Sequence, residues 1–151
     1  MTKTRIEHKL ETPLDAVRFI TGGRALFTAR SMKTSNRFTF RVSLSKKFGD
    51  ALLVTLVNSA NWRNCYLGQI ITENGKLKFI RTRNSQLTFD AIEVRAIRWI
   101  IDHLNGQQLP PKLEIWHEGR CGICGRVLTV PESIERGIGP ECWTKRYQRA
   151  A

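Results

Sequence analysis

Between His117 and Cys142 the chain reads HEGRCGICGRVLTVPESIERGIGPEC, and three of the chain's four cysteines fall there. Cys121 and Cys124 are spaced C-x-x-C, which lets two thiolates grip one ion. Gly122 and Gly125 permit a tight turn, because glycine accepts positive φ. Cys142 follows Gly139-Pro140. Proline suits the first turn of a helix, so Cys142 is expected near a helix N-terminus, whose partial positive charge favours a thiolate. A closed structural zinc site takes four tetrahedral nitrogen or sulfur ligands. The spacing therefore predicts one structural Zn2+ on His117, Cys121, Cys124 and Cys142. His117 is the least constrained of the four, with His103, a folded-back Cys65 or a water as rivals.

The competing chemistry is a redox dithiol, but such a motif follows a strand in a βαβ pattern, and the sequence shows none. A water as fourth ligand would open the site to catalysis. No general base is placed for it, since Glu118, Glu132, Glu135 and Glu141 read as surface or helix-start carboxylates. A zinc deaminase needs His-x-Glu and a later P-C-x-x-C. His117-Glu118 and Pro140-Glu141-Cys142 match neither, so the expectation is a protein without enzymatic activity.

The elements that must position this segment follow from periodicity. Residues 1–11 read as a loose arm or an edge strand. Thr12 can cap a short helix with Pro13 at its first position, Leu14, Val17 and Phe19 or Ile20 as its apolar side, and Gly22-Gly23 as its end. Residues 25–30 form a strand. In residues 37–44, Phe38, Phe40, Val42 and Leu44 alternate with Arg37, Thr39, Arg41 and Ser43, the pattern of a half-buried antiparallel strand. Residues 52–57, 65–71 and 76–81 complete five strands, with a tight hairpin turn at Glu73-Asn74-Gly75. Cys65 is expected as a buried, inert thiol in the fourth. Residues 90–104 carry helical spacing at Ile92, Ala96, Ile97, Ile100, Ile101 and Leu104, with Asp90 and Glu93 as a capping box. Pro110-Pro111 then links to residues 113–116, an extended lead into the cysteines, and a short helix closes the chain. The expected fold is α+β: an antiparallel sheet of about five strands with a packed helix, and a small C-terminal zinc knuckle. The division expected is 1–110 for a basic sheet domain and 111–151 for the zinc-binding module.

The chain has 151 residues, 41% of them apolar, and 25 Lys+Arg against 13 Asp+Glu give a net charge of +12. Such an excess points to a polyanionic partner. The positive charge is concentrated. Residues 16–49 hold no acid but include Arg18, Arg24, Arg30, Lys33, Arg37, Arg41, Lys46 and Lys47. Residues 74–89 likewise hold Lys76, Lys78, Arg81 and Arg83 and no acid. Arg30, Lys33, Arg37, Arg41, Lys46, Lys47, Lys76, Lys78, Arg81 and Arg83 are thus the expected nucleic-acid contacts. Lysine and arginine beside hydroxyls donate to phosphate oxygens. With no base-reading helix in evidence, backbone contacts and steep salt dependence follow. Trp62, Phe48 and Trp143 are the candidate stacking platforms for single strands, whereas Trp99 and Trp116 are expected to pack. No apolar run approaches the roughly 20 residues of a membrane span. The first 13 residues lack the apolar core of a signal peptide. The expected location is the cytoplasm, a reducing compartment where cysteines serve as metal ligands before disulfides.

The motif C-G-x-C-G-R-x-L-T-x-P-E-S-I-x-x-G-I-G-P-E-C resembles a small zinc-binding domain of unknown function common in bacteriophage and prophage proteins. That domain also stands at the ends of some phage-type helicases. The likeness covers about the last 35 residues, and YLGQI, AIRWI and LEIWHEGRCGICGR resemble short phage proteins built as one unit with it. It implies zinc and a phage or mobile-element origin, hence a bacterial host cell. Two functions follow as expectations. The first is an accessory protein binding DNA or RNA through a basic sheet face. The alternative is an inhibitor or effector that docks on a host defence or nucleic-acid-processing complex.

Overall fold

The computed structural model describes residues 7–45, 51–57 and 64–148. Lys46, Lys47, Phe48 and Trp62 lie outside them. The described elements run β1 (His8–Lys9), α1 (Pro13–Ile20), β2 (Arg24–Ser31), β3 (Arg37–Leu44), β4 (Leu52–Val57), β5 (Asn64–Glu73), β6 (Lys76–Ile80), α2 (Ile92–Asn105), β7 (Leu113–His117), α3 (Pro131–Arg136) and α4 (Pro140–Tyr147). The α+β class is as expected, with seven strands rather than five, in the order β1-β7-β2-β3-β4-β5-β6. Every pairing is antiparallel.

The two added strands are β1 and β7. The alternation Leu113, Ile115, His117 against Glu114 and Trp116 does not simply lead into the cysteines. It inserts β7 between β1 and β2, with Ala29 opposite Ile115 and Phe27 opposite His117. A boundary at residue 110 therefore cuts the sheet itself. Residues 113–117 belong to the sheet, and the cysteine segment hangs from one of its interior strands.

Strand alternation sorts the sheet into two unlike faces. Phe27, Phe40, Val42, Val54 and Ile70 point to one, where α1 and α2 cover them. α2 buries Val94, Ile97, Ile100, Ile101 and Leu104, the stripe that 3.6-residue periodicity requires. Each fully buried chain of this size contributes about 1.5–3 kcal/mol. α1 starts as expected: Thr12 accepts a hydrogen bond from Asp15 N–H at 3.1 Å, with Pro13 in the first turn. Leu14 is exposed and Ala16 takes the buried place beside Phe19 and Ile20. The capping box at α2 does not form. The N-cap is Ala91, with no side-chain hydrogen bond, because a turn from Thr88 (Ala91 N–H to Thr88 carbonyl, 3.1 Å) delivers the chain one residue past Asp90.

Two local devices shape the far edge. In β5, Leu67 is an extra residue where the register shifts, and a Cβ on Gly68 would collide with the Ile80 carbonyl, so only glycine lets β6 come this close. On the edge strand β6, the Asn105 amide accepts from Leu77 N–H at 2.9 Å and donates to Leu77 carbonyl at 2.6 Å. This clamp occupies edge groups that would otherwise pair with another strand. Asn74 and Gly75 both have positive φ (52° and 76°), as the tight hairpin between β5 and β6 demands.

Candidate metal centre and candidate nucleic-acid interface

After β7 the chain makes a knuckle. Cys121 N–H donates to Arg126 carbonyl at 2.8 Å and Gly125 N–H to Cys121 carbonyl at 2.9 Å, closing a turn around Cys124. Gly137 ends α3 in the left-handed region (φ 73°), and Gly139 and Pro140 start α4. Cys142 therefore enters in the first turn of a helix, where the sequence places it. The Sγ atoms of Cys121, Cys124 and Cys142 lie within 4.8 Å of one another. Three sulfurs about 2.3 Å from one tetrahedral ion would stand somewhat closer than that, so the cluster fits a metal with little adjustment.

The electrostatics favour thiolate at Cys121 and oppose it at Cys142, against the expectation from its place at a helix N-terminus. Burial pushes the Cys121 thiol up, but N–H groups of Gly139, Cys124 and Ile123 outweigh it and hold the group below its ordinary 9.0. Gly139 N–H reaches its sulfur at 3.3 Å and Ile123 N–H at 3.4 Å. Cys142 is pushed up to about 12, by burial first and then by the neighbouring Cys124 and Cys121 sulfurs. A metal-free cluster thus holds protons that a cation must expel.

His117 does not join the three sulfurs. It is fully buried, and both ring nitrogens are engaged by backbone. Gly119 N–H donates to Nδ1 at 3.0 Å, and Nε2 faces the Ile134 carbonyl. An amide N–H can only donate and a carbonyl can only accept, so the ring is the neutral tautomer with its proton on Nε2. Ligation would break one of these bonds. Burial lowers the His117 pKa and the nearby His8 adds to it, while the Ile134 carbonyl opposes the shift. The expected fourth ligand is instead a cross-brace from the end of β7 to α3. Two of its rivals do not reach the thiols either, which leaves a water as the alternative fourth ligand. His103 Nδ1 pairs with the Trp99 carbonyl at 2.9 Å, and Cys65 packs on the sheet core, its thiol pushed up by burial and by Glu93. Among the described residues, no other histidine, cysteine or carboxylate converges with the three thiols.

The knuckle is locked onto the end of α1. Cβ atoms built on Gly122 and Gly137 would each lie 2.7 Å from the Phe19 ring. The Phe19 ring in turn sits 5.5 Å from that of His117 and 6.4 Å from that of Phe27. Arg24 donates to the Cys124 carbonyl at 3.2 Å, and Arg146 of α4 to the Gly22 carbonyl at 3.2 Å. Trp143, a candidate stacking platform, lies under two guanidinium groups, Arg136 at 4.1 Å and Arg18 at 5.0 Å.

The second face of the sheet carries the polar set: Thr28 and Arg30 of β2, Arg37, Thr39 and Arg41 of β3, Lys76 and Lys78 of β6. Among the described residues, no helix packs on it. Arg37 and Arg41 are exposed, and Arg30 is half-buried directly opposite Arg37. Thr28 and Thr39 share a hydrogen bond of 2.9 Å. A hollow of about 180 Å³ opens between Arg30, Arg37, Thr28 and Trp116, and Glu7 and Glu118 also line it. Three expected contacts lie elsewhere. Lys33 sits in the β2–β3 turn, and Arg81 and Arg83 sit in the loop before α2, where Arg81 donates to the Leu87 carbonyl at 2.9 Å. Trp116, expected to pack, stands on the polar face with its indole nitrogen buried and without a hydrogen-bond partner among the described residues. Trp99 is 42% exposed on α2, since the α2 stripe leaves it on the rim rather than in the core.

Residues 115–147 match a family of unknown function (DUF6011). That span contains the three converging cysteines, and it begins inside β7. No curated protein and no solved structure matches the chain. No described helix is long and apolar enough to cross a membrane.

Proposed function

We propose that the chain is a non-catalytic accessory protein of phage type that binds DNA or RNA through the bare face of its sheet. One Zn2+ on Cys121, Cys124 and Cys142 would be its structural staple, and the bacterial cytoplasm its place of work. The observation carrying this reading is the Arg30–Arg37 pair. Like charges directly opposite on neighbouring strands destabilise a sheet; Glu114 on β7 faces Arg30 from its other side and offsets part of that cost, while Arg37 and Arg41 continue the basic face along β3. An anionic backbone lying across the strands would neutralise all three. Flanking Thr28 and Thr39 add hydroxyl donors, and the net charge of +12 supports the same partner.

The test is a mobility shift with random single- and double-stranded oligonucleotides across a salt series. Arg37→Gln with Arg41→Gln should weaken binding. Each phosphate interaction removed should reduce the slope of log affinity against log salt by about one unit. No binding at low salt, or an unchanged affinity and slope in the double variant, overturns the reading. Elemental analysis of protein purified without chelator should give zinc near one ion per chain.

A further inference from the structure

On the helix side of the sheet, α2 stops short of the β2–β3 hairpin and leaves a groove of about 780 Å³. Its floor is apolar, with Ala29, Phe38 and Leu113 from the strands facing Ile92, Ala96 and Trp99 from α2. Ile92 and Trp99 are 51% and 42% exposed, a large apolar surface to leave in water. The rim is cationic: Lys33 on the hairpin turn, Arg95 and Arg98 on α2, and Lys112 on the turn into β7, against Asp102 alone. Among the described residues, none of the four cations is in an ion pair. The turns bearing Lys33 and Lys112 are tied by Met32 N–H to the Lys112 carbonyl at 2.8 Å, which fixes that end of the rim.

We infer that this groove is a docking site for an acidic peptide segment of a protein partner, in which large apolar side chains are flanked by carboxylates. Aliphatic walls and one exposed indole suit leucine or phenylalanine side chains. Single-stranded nucleic acid would want an aromatic platform for each base, and Trp99 is already edge-on to His103 at 5.2 Å. The rim charge supplies complementarity for the carboxylates and sets the register of the segment. The groove lies on the opposite side of the sheet from Arg30, Arg37 and Arg41, so this inference stands independently of the nucleic-acid reading.

The full chain, treated with nuclease, is panned against a displayed library of random dodecapeptides. Enriched sequences should pair Asp or Glu with Leu, Phe or Trp. A fluorescein-labelled copy of the best of them should bind about tenfold more weakly to Trp99→Ala, and to a Lys33→Glu, Arg95→Glu double variant, as loss of an anchor and of rim charge predicts. Both rim residues are exposed, so the charge-reversed variant keeps the fold. The Arg37→Gln, Arg41→Gln protein should bind the peptide unchanged. The inference is overturned by a library that fails to enrich, by enriched peptides lacking carboxylates, or by affinity indifferent to the groove variants. Displacement of the peptide by oligo(dT), with the same sensitivity to Trp99 and Lys33, would assign the groove to nucleic acid and overturn it as well.

Discussion

The two faces of the sheet treat charge in opposite ways. The covered face buries a histidine and keeps it neutral by giving both ring nitrogens backbone partners. The bare face sets Arg30 against Arg37 and leaves Arg41 and Lys78 in water. Inside, the His117 ring is committed to holding the fold. Outside, Arg37 and Arg41 are exposed and hold little of it, while Arg30 lies between Arg37 on one neighbouring strand and Glu114 on the other. The His117 brace and the exposed arginines are separated by the thickness of one sheet, so substitutions at the two should divide between an effect on stability and an effect on surface charge.

The largest effect should come from the cysteine cluster. Cys121→Ser, or removal of metal by chelator, should lower the melting temperature of the whole chain in one transition. The knuckle and sheet share Phe19, Gly122 and Gly137 packing, and metal binding free energy is folding free energy. Separate transitions in calorimetry, with the sheet melting unchanged, would restore the picture of two independent units. Next is Phe19→Ala, which empties the space between α1, His117 and the knuckle. Chemical denaturation should register about 3–5 kcal/mol, together with weaker metal retention. A loss confined to stability, with metal held as before, would break the link between the two regions.

A smaller effect should appear with pH. The folded pKa of His117 lies below its ordinary 6.5. Between those values the unfolded chain binds a proton that the folded chain refuses. Stability contributed by neutral His117 is therefore complete above 6.5 and lost as pH falls toward the folded value. Denaturant melts of metal-free protein across that window should show the decline, and His117→Gln should flatten it. An equal decline in both would place the sensitivity elsewhere. The smallest effect belongs to the bare face: Arg37→Gln with Arg41→Gln should move stability by less than about 1 kcal/mol, measured on the same protein used for the mobility shifts.

Much of this was legible from residue order. The alternation in β3, the Asn-Gly hairpin, the Thr12-Pro13 start of α1 and the stripe along α2 depend on local spacing, and they appear where the spacing puts them. The approach of Cys121, Cys124 and Cys142 was readable for the same reason. What was hidden depends on partners far along the chain. A histidine four residues before a C-x-x-C has ligand spacing, and only the Ile134 carbonyl, 17 residues on, shows that it is a brace. Pro110-Pro111 made β7 look like a linker, because nothing local says that an alternating segment will be inserted beside β2. Arg24 counts as one more surface cation until the chain returns 100 residues later and presents the Cys124 carbonyl. Ile92 carries correct helical spacing yet remains exposed, and Leu14 lies off the face that α1 buries through Ala16, Phe19 and Ile20.

The position of β7 has a consequence for how the protein is made. β2 through β6 pair with their neighbours in chain order, so those hairpins can close as soon as each is synthesised. The other edge of β2 must wait for Leu113–His117, more than 80 residues behind it on the ribosome. Throughout that interval the chain carries an unpaired strand edge flanked by apolar Ala25, Phe27 and Ala29, a template for any passing strand. The charged residues that punctuate β2, Arg24 and Arg30, are gatekeepers at its two ends during that wait. Closure then comes late and together: β7 docks on β2, β1 docks on β7, and the cysteines arrive directly behind them. A metal held by the three thiols would be captured only behind that late strand, and a ribosome that stalls before residue 113 leaves a nascent chain with that edge open.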